Sequence, residues 1–227
     1  MQPIFTRKVT LLLSLSCLSL QIGALDKEEQ QWVDKVTAMY GERAGVRVST
    51  WRNTLTQLSH VDTREKLAGV NRFFNQLYFV DDKKLWGETD YWATPLELLG
   101  SNAGDCEDFT IAKYFSLLEL GIPDSKMRLV YVKANNPNQF HMVLAYYPTA
   151  SEEPLILDNL NAEIVRASKR HDLLPIYSFN GTNLWLIKSS AGKGELAGKA
   201  SRLSLWNDLR SRERKLQLKK PKINYDE

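Results

Sequence analysis

Cysteine is nearly absent from this chain. Of its 227 residues only two are cysteine, Cys17 and Cys106, and only three are histidine, His60, His141 and His171. The formal charge of +3 is too small for a dedicated nucleic-acid binder. Much of the basic excess sits in one C-terminal stretch, "RSRERKLQLKKPKI". There is no internal repeat and no low-complexity linker. Apart from the N-terminus, no segment is apolar enough to span a bilayer.

The N-terminus itself reads as a secretory signal. Arg7 and Lys8 precede the short apolar run "VTLLLSLSCLSLQIGA", and acidic residues begin abruptly at Asp26. Cleavage after Ala24 fits, so residues 1–24 are expected to be removed and the protein to be periplasmic. An uncleaved anchor is the competing reading and needs roughly 20 apolar residues. A lipoprotein reading through Cys17 lacks the usual small residue before the cysteine. Removal of the signal leaves Cys106 as the single thiol, which excludes an internal disulfide. A lone thiol in an oxidising compartment is a liability unless it is buried or used.

Apolar spacing predicts helices from Asp26 to about Tyr78. "KEEQQWVDKVTAMYG" aligns Trp32, Val33, Val36 and Met39 and stops at Gly41, and "TREKLAGVNRFFNQLYF" follows Asp62 as a cap. A loop-rich region punctuated by Gly87, Pro95 and Gly100 carries "DYWATPLELL". A further helix should begin at or just after Asp105 and end at "GIP", 121–123. Beyond it the period becomes two. "MRLVYVKA", "QFHMVLAYY", "PLILDNL" and "YSFNGTNLWLIK" predict strands, with Asn180-Gly181 as a hairpin turn. Helices followed by an antiparallel sheet make an α+β fold. The organisation expected is a domain over 26–190, helical to about 80, and a basic C-terminal tail over 191–227. A monomer is the default.

The chemistry concentrates in "SNAGDCEDFT", 101–110. If Asp105 caps the helix, Cys106 takes its first position, where unpaired N–H groups favour the thiolate. The bland alternative is an acidic, capped helix start. A cysteine nucleophile needs a base. His60 and His171 have the flanks of surface residues, which leaves His141 at the start of its strand. An acid must hold the imidazole in one tautomer, and Asp158, at the end of the next strand, is placed to do so, although Asn159 and Asn161 also make it a turn residue. Asp105, Glu107 and Asp108 would raise the pKa of the thiol between them. A divalent cation reverses that penalty, and an all-oxygen set suits calcium rather than zinc or copper.

At "DYWATPLE", "GDCEDFTIAKYFSLLELGIP", "HMVLAYY" and "LDNL" the chain resembles the bacterial transglutaminase-like cysteine proteases of the LapG type. The resemblance runs from about "LAGVNRFFN" to "NGTNLWL", more than half of the mature chain. It implies a papain-like, transglutaminase-type core, with the cysteine helix packed on an antiparallel sheet carrying His and Asp. By position it implies Cys106 as nucleophile, His141 as base and Asp158 as orienting acid, with Asp105 and Glu107, and Asp108 as a further ligand, associated with calcium. Trp92 would shape the site. It also implies a calcium-dependent periplasmic endopeptidase that cuts a large surface adhesin near its N-terminus, beside paired alanines, and releases it. An inner-membrane receptor for cyclic di-GMP would restrain the protease. The residues alone leave open an acyltransferase, which shares the acyl-enzyme, and a non-catalytic calcium-dependent binding module.

Overall fold

A computed structural model describes residues 25–135, 138–187 and 194–226. The predicted signal, 1–24, lies outside the described residues. Three helices come first: α1 (Lys27–Tyr40), α2 (Glu42–Leu58) and α3 (Thr63–Phe74). Asp26 accepts the Glu29 N–H at 2.8 Å and Asp62 the Glu65 N–H at 2.9 Å, so α1 and α3 begin at side-chain caps. Gly41 ends α1 with φ 102°, a conformation that only glycine takes at low cost.

The next segment was expected to be loop-rich, yet it holds two short helices and a two-residue parallel pairing. Strand β1 (Tyr78–Phe79) pairs with β2 (Ala103–Gly104), and between them lie α4 (Asp82–Leu85) and α5 (Pro95–Ser101). Pro95 does not break α5 but starts it, because the first helical position needs no N–H donor. Thr94 and Glu97 complete a reciprocal capping box around it.

Helix α6 (Cys106–Glu119) follows and ends at Gly121, whose φ is 82°. The remaining strands are β3 (Met127–Asn135), β4 (Asn138–Tyr146), β5 (Leu155–Leu157), β6 (Val165–Arg166), β7 (Leu173–Phe179), β8 (Asn183–Leu186) and β9 (Glu195–Lys199). They form one sheet in the order β6-β5-β4-β3-β7-β8-β9, with every neighbouring pair antiparallel. The helices cover one face of it. There Val36, Trp51, Phe74, Leu99, Ile111, Leu117, Leu129, Leu144 and Phe179 make a single core. Val130, Val132, Val143, Ala145 and Ile156 form a smaller cluster on the other face. The result is the α+β architecture expected.

The segment set apart as a basic tail is built into this domain from Gly194 onward. Strand β9 extends the sheet, and α7 (Ser204–Arg214) buries Trp206 against Phe115, stacked at 5.6 Å, and Phe179 at 5.3 Å. Beyond α7 the chain runs back over the helices. Lys222 N–H donates to the Leu85 carbonyl at 2.7 Å, and Arg47 holds both carboxylate oxygens of Asp226 at 2.6 Å. Part of the basic excess is neutralised internally: Arg212 pairs at 2.6 Å with Glu97, which is fully buried. None of the described helices is long and apolar enough to cross a membrane.

Candidate active site

Cys106 is the first residue of α6, directly after the extended residue Asp105. The turn that presents it is pinned by Asp108, whose carboxylate accepts the Asp105 N–H at 3.3 Å and the Ala93 N–H at 2.6 Å. The "DYWATP" loop is thereby drawn onto the start of α6. Gly104 permits the approach, since a Cβ there would lie 2.6 Å from Asp108 Oδ2 and 2.7 Å from Leu98 Cδ1. Trp92 is buried in the same loop and stacks on Phe179 at 5.6 Å.

The sheet meets this helix along the edge of β4. Strand β5 pairs with β4 only as far as Leu144↔Leu157. Two residues nearer the start of β4, α6 takes over that edge: Thr110 Oγ1 donates to the Met142 carbonyl at 2.9 Å. His141 therefore immediately precedes the strand residue to which the start of α6 is bonded. Its Nε2 lies 2.8 Å from Asp158 Oδ1, and the two side chains are 1% and 0% exposed. With Asp158 ionised, Nε2 carries the proton and donates, which leaves Nδ1 as the open acceptor. Among the described residues Nδ1 has no hydrogen-bond partner.

Burial alone would raise the Asp158 pKa. The His141 hydrogen bond and charge, the Leu160 N–H at 3.0 Å and the Arg170 guanidinium outweigh it and hold the carboxyl at about 2. Arg170 Nη1 lies 2.8 Å from Asp158 Oδ2. This arginine was not singled out in the sequence, where "SKRHD" looks like ordinary surface.

Five carboxylates gather beside Cys106. Ligand atoms of Asp82, Asp105 and Asp108 lie within 4.8 Å of one another, as do those of Asp82, Asp90 and Glu107, and those of Asp105, Cys106 and Glu107. The three acids named from sequence are thus brought together, and Asp82 and Asp90 join them from α4 and its following loop. Neither was anticipated. Their signal was position alone, since Asp90 opens the "DYWATP" motif and Asp82 lies eight residues before it.

Asp108 spends both oxygens on backbone N–H groups, so its first role is to fix the turn. Asp105 Oδ1 and Asp82 Oδ1 are buried with no hydrogen-bond partner among the described residues. Burial and then the neighbouring carboxylates push the Asp105 carboxyl up to about 12, and burial pushes Asp82 to about 7. The Cys106 thiol is raised well above its ordinary value by burial first, then by Glu107 and Asp105, and its S–H donates to Glu107 Oε2 at 3.1 Å. Orphaned, converging carboxylate oxygens of this kind fit a hard divalent cation that takes oxygen ligands.

The model of the bacterial transglutaminase-like cysteine proteinases (BTLCP) matches residues 42–186. None of the curated protein sequences matches the chain. Among solved structures, EGTA-treated Legionella pneumophila LapG is 38% identical, covering 81% of this chain and 96% of that one with a TM-score of 0.72. Calcium-bound LapG from the same organism is 39% identical, covering 81% of this chain and 98% of that one with a TM-score of 0.69. With the sequence matched over most of the domain and the cysteine helix docked on the histidine strand, the chain belongs to the bacterial transglutaminase-like cysteine proteinase family.

Proposed function

We propose that the protein is a calcium-dependent cysteine endopeptidase acting through Cys106, His141 and Asp158. The observation that carries this reading is the His141–Asp158 pair: it fixes the imidazole tautomer and leaves Nδ1 open one residue from Met142, where the start of the cysteine helix is bonded to the strand. His141 Nδ1 takes the thiol proton and Cys106 Sγ attacks the scissile carbonyl. Unpaired backbone N–H groups at the start of α6 face the developing oxyanion. His141 then passes its proton to the leaving amine, and water hydrolyses the acyl-enzyme.

Asp82, Asp90, Asp105 and Glu107 would hold the calcium, with Asp108 completing the group and fixing the turn. The bound ion supplies positive charge that offsets the carboxylates beside the thiol. Support comes from the partnerless oxygens of Asp82 and Asp105 and from a solved relative described as calcium-bound.

The biological setting is part of the same proposal. The signal-like N-terminus supports a periplasmic location, and the resemblance to the LapG type supports a large surface adhesin as substrate. The cut would fall near paired alanines in the adhesin's N-terminal region, and adhesin release would promote biofilm dispersal. An inner-membrane cyclic di-GMP receptor would be the restraining partner. The direct experiment incubates purified wild type and Cys106→Ala with the N-terminal fragment of a co-encoded large adhesin, with calcium, with magnesium or with chelator. Two shorter chains should appear only with wild type and calcium. Cleavage by Cys106→Ala removes the thiol from the mechanism, and full activity in chelator removes the metal.

A further inference from the structure

We propose that Arg170 is a positioning residue for this site, holding the Asp158 carboxylate in the one orientation that serves His141. The inference rests on the cysteine-protease reading above and adds a residue to it. Asp158 is fully buried, and its two oxygens have separate tasks. Oδ1 receives the His141 ring at 2.8 Å and the Leu160 N–H at 3.0 Å, whereas Oδ2 forms an ion pair with Arg170 Nη1 at 2.8 Å, a contact of charges outside hydrogen-bond geometry. A carboxylate whose second oxygen lacked a counter-charge would be a half-satisfied buried anion, free to rotate or to take a proton. Either change loosens its hold on the Nε2–H.

The guanidinium is itself clamped from outside. Nε donates to Asp172 Oδ1 at 2.9 Å and Nη2 to Asp172 Oδ2 at 2.7 Å, a bidentate fork that leaves Nη1 directed inward. Asp172 is tied to the sheet through its carbonyl, which accepts the Asn135 N–H at 2.8 Å. The arginine side chain is 7% exposed, while Asp172 reaches solvent at 44%. The chain of contacts thus runs from the surface at Asp172 through Arg170 and Asp158 to the imidazole. Lys113, buried on α6, is another cation whose charge acts on Asp158, but it does not come within ion-pair distance of it. A lysine at 170 could supply charge but not the two-sided fork.

The test compares Arg170→Gln, Arg170→Lys and Asp172→Asn with wild type, using Asp158→Asn and Cys106→Ala as references. Cleavage of the adhesin fragment gives kcat and KM, and proton NMR follows the downfield His141 Nε2–H resonance. Arg170→Gln should lower kcat about 10- to 100-fold with KM held within about twofold, the scale for partners that orient a reacting group. Its Nε2–H signal should broaden or vanish, Arg170→Lys should recover part of both, and Asp172→Asn should show a smaller loss of both. An unchanged kcat and resonance in Arg170→Gln, with Asp158→Asn inactive, overturns the proposal. If Arg170→Gln fails to fold, the exposed-side variant Asp172→Asn decides, and unchanged kcat and resonance there overturn it equally. Cleavage by Cys106→Ala sinks the protease reading instead, and the resonance still reports whether Arg170 orders the His141–Asp158 pair.

Discussion

The Thr110 hydroxyl donates to the Met142 carbonyl at 2.9 Å, so the start of α6, which carries Cys106, is fastened to the strand residue that follows His141. Two elements meet there that lie far apart in the chain: the first turn of α6 and the early part of β4, whose edge β5 has already left. The helix fills the vacated edge, which places a backbone-rich helix start beside a buried imidazole–carboxylate pair. Beneath it, the loop carrying Asp90 and Trp92 is tied to α6 by a single acid, Asp108. Thiol, imidazole and acidic cluster are therefore positioned by one junction.

Asp158→Asn keeps the shape of the side chain and removes the charge that selects the Nε2–H tautomer. A loss of kcat of roughly 10⁴-fold is expected, the scale seen when a triad aspartate is made neutral. It also leaves Arg170 facing a neutral partner, so the melting temperature should fall. Steady-state cleavage and thermal unfolding on the same samples separate the two effects. Activity within tenfold of wild type would remove Asp158 from catalysis.

Calcium should stabilise the protein more at alkaline pH than at acid pH. In the folded chain without metal, Asp105 and Asp82 have pKa values pushed above the unfolded value of about 4. The folded state then holds more protons than the unfolded one, so this contribution is fully present below pH 4 and is lost as pH rises through the raised values. Asp158 acts in the opposite sense, with stability present above about 4 and lost only as pH falls through about 2. Between pH 5.5 and 8 the acidic cluster dominates. Melting in chelator should decline across that window, and the rise on adding calcium should be larger at pH 8. A rise that does not depend on pH would place the ion elsewhere.

Arg212→Ala should be among the most destabilising single changes outside the site. Glu97 is fully buried, and it also accepts the Tyr91 hydroxyl and the Lys219 N–H, each at 2.7 Å. Removing the arginine strands that charge, at a cost of about 3–5 kcal/mol. Adding Glu97→Gln should recover part of the loss, because it removes the unpaired anion. Chemical denaturation of the two variants checks both statements. A cost below about 1 kcal/mol would show that the C-terminal segment is not integral to the fold.

Much of this architecture is legible in the sequence because local chemistry and global fold agree there. Asp62 and Gly121 mark helix ends, and Asn180-Gly181 marks the β7–β8 turn. Cys106, His141 and Asp158 stand out because thiols and histidines are scarce. What escaped depends on contacts distant in sequence. Helix α5 hid behind a proline that reads as a breaker until its place at the first helical position is known. The C-terminal segment looked like a solvated basic tail because the partners of Arg212, the Glu97 carboxylate and the Trp92 carbonyl, lie over 100 residues away. Asp82, Asp90 and Arg170 are ordinary charged residues in ordinary surroundings, and only folding shows which oxygens they face.

Asp82 offers the sharpest separation of metal binding from fold. Its Oδ2 accepts the Tyr91 N–H at 2.5 Å, and its Oδ1 is buried with no partner among the described residues. An asparagine can keep the first contact through its amide oxygen while removing the charge from the cluster. In chelator, Asp82→Asn should therefore melt at or above the wild-type temperature, because one buried, mutually repelling acid is gone. In calcium the order should reverse, since affinity rises with the number of charged oxygen ligands. Calorimetric titration should show weaker calcium binding, and cleavage should need correspondingly more calcium to reach half its maximum. A variant that melts lower than wild type in chelator, with unchanged calcium affinity, would make Asp82 a purely structural acid.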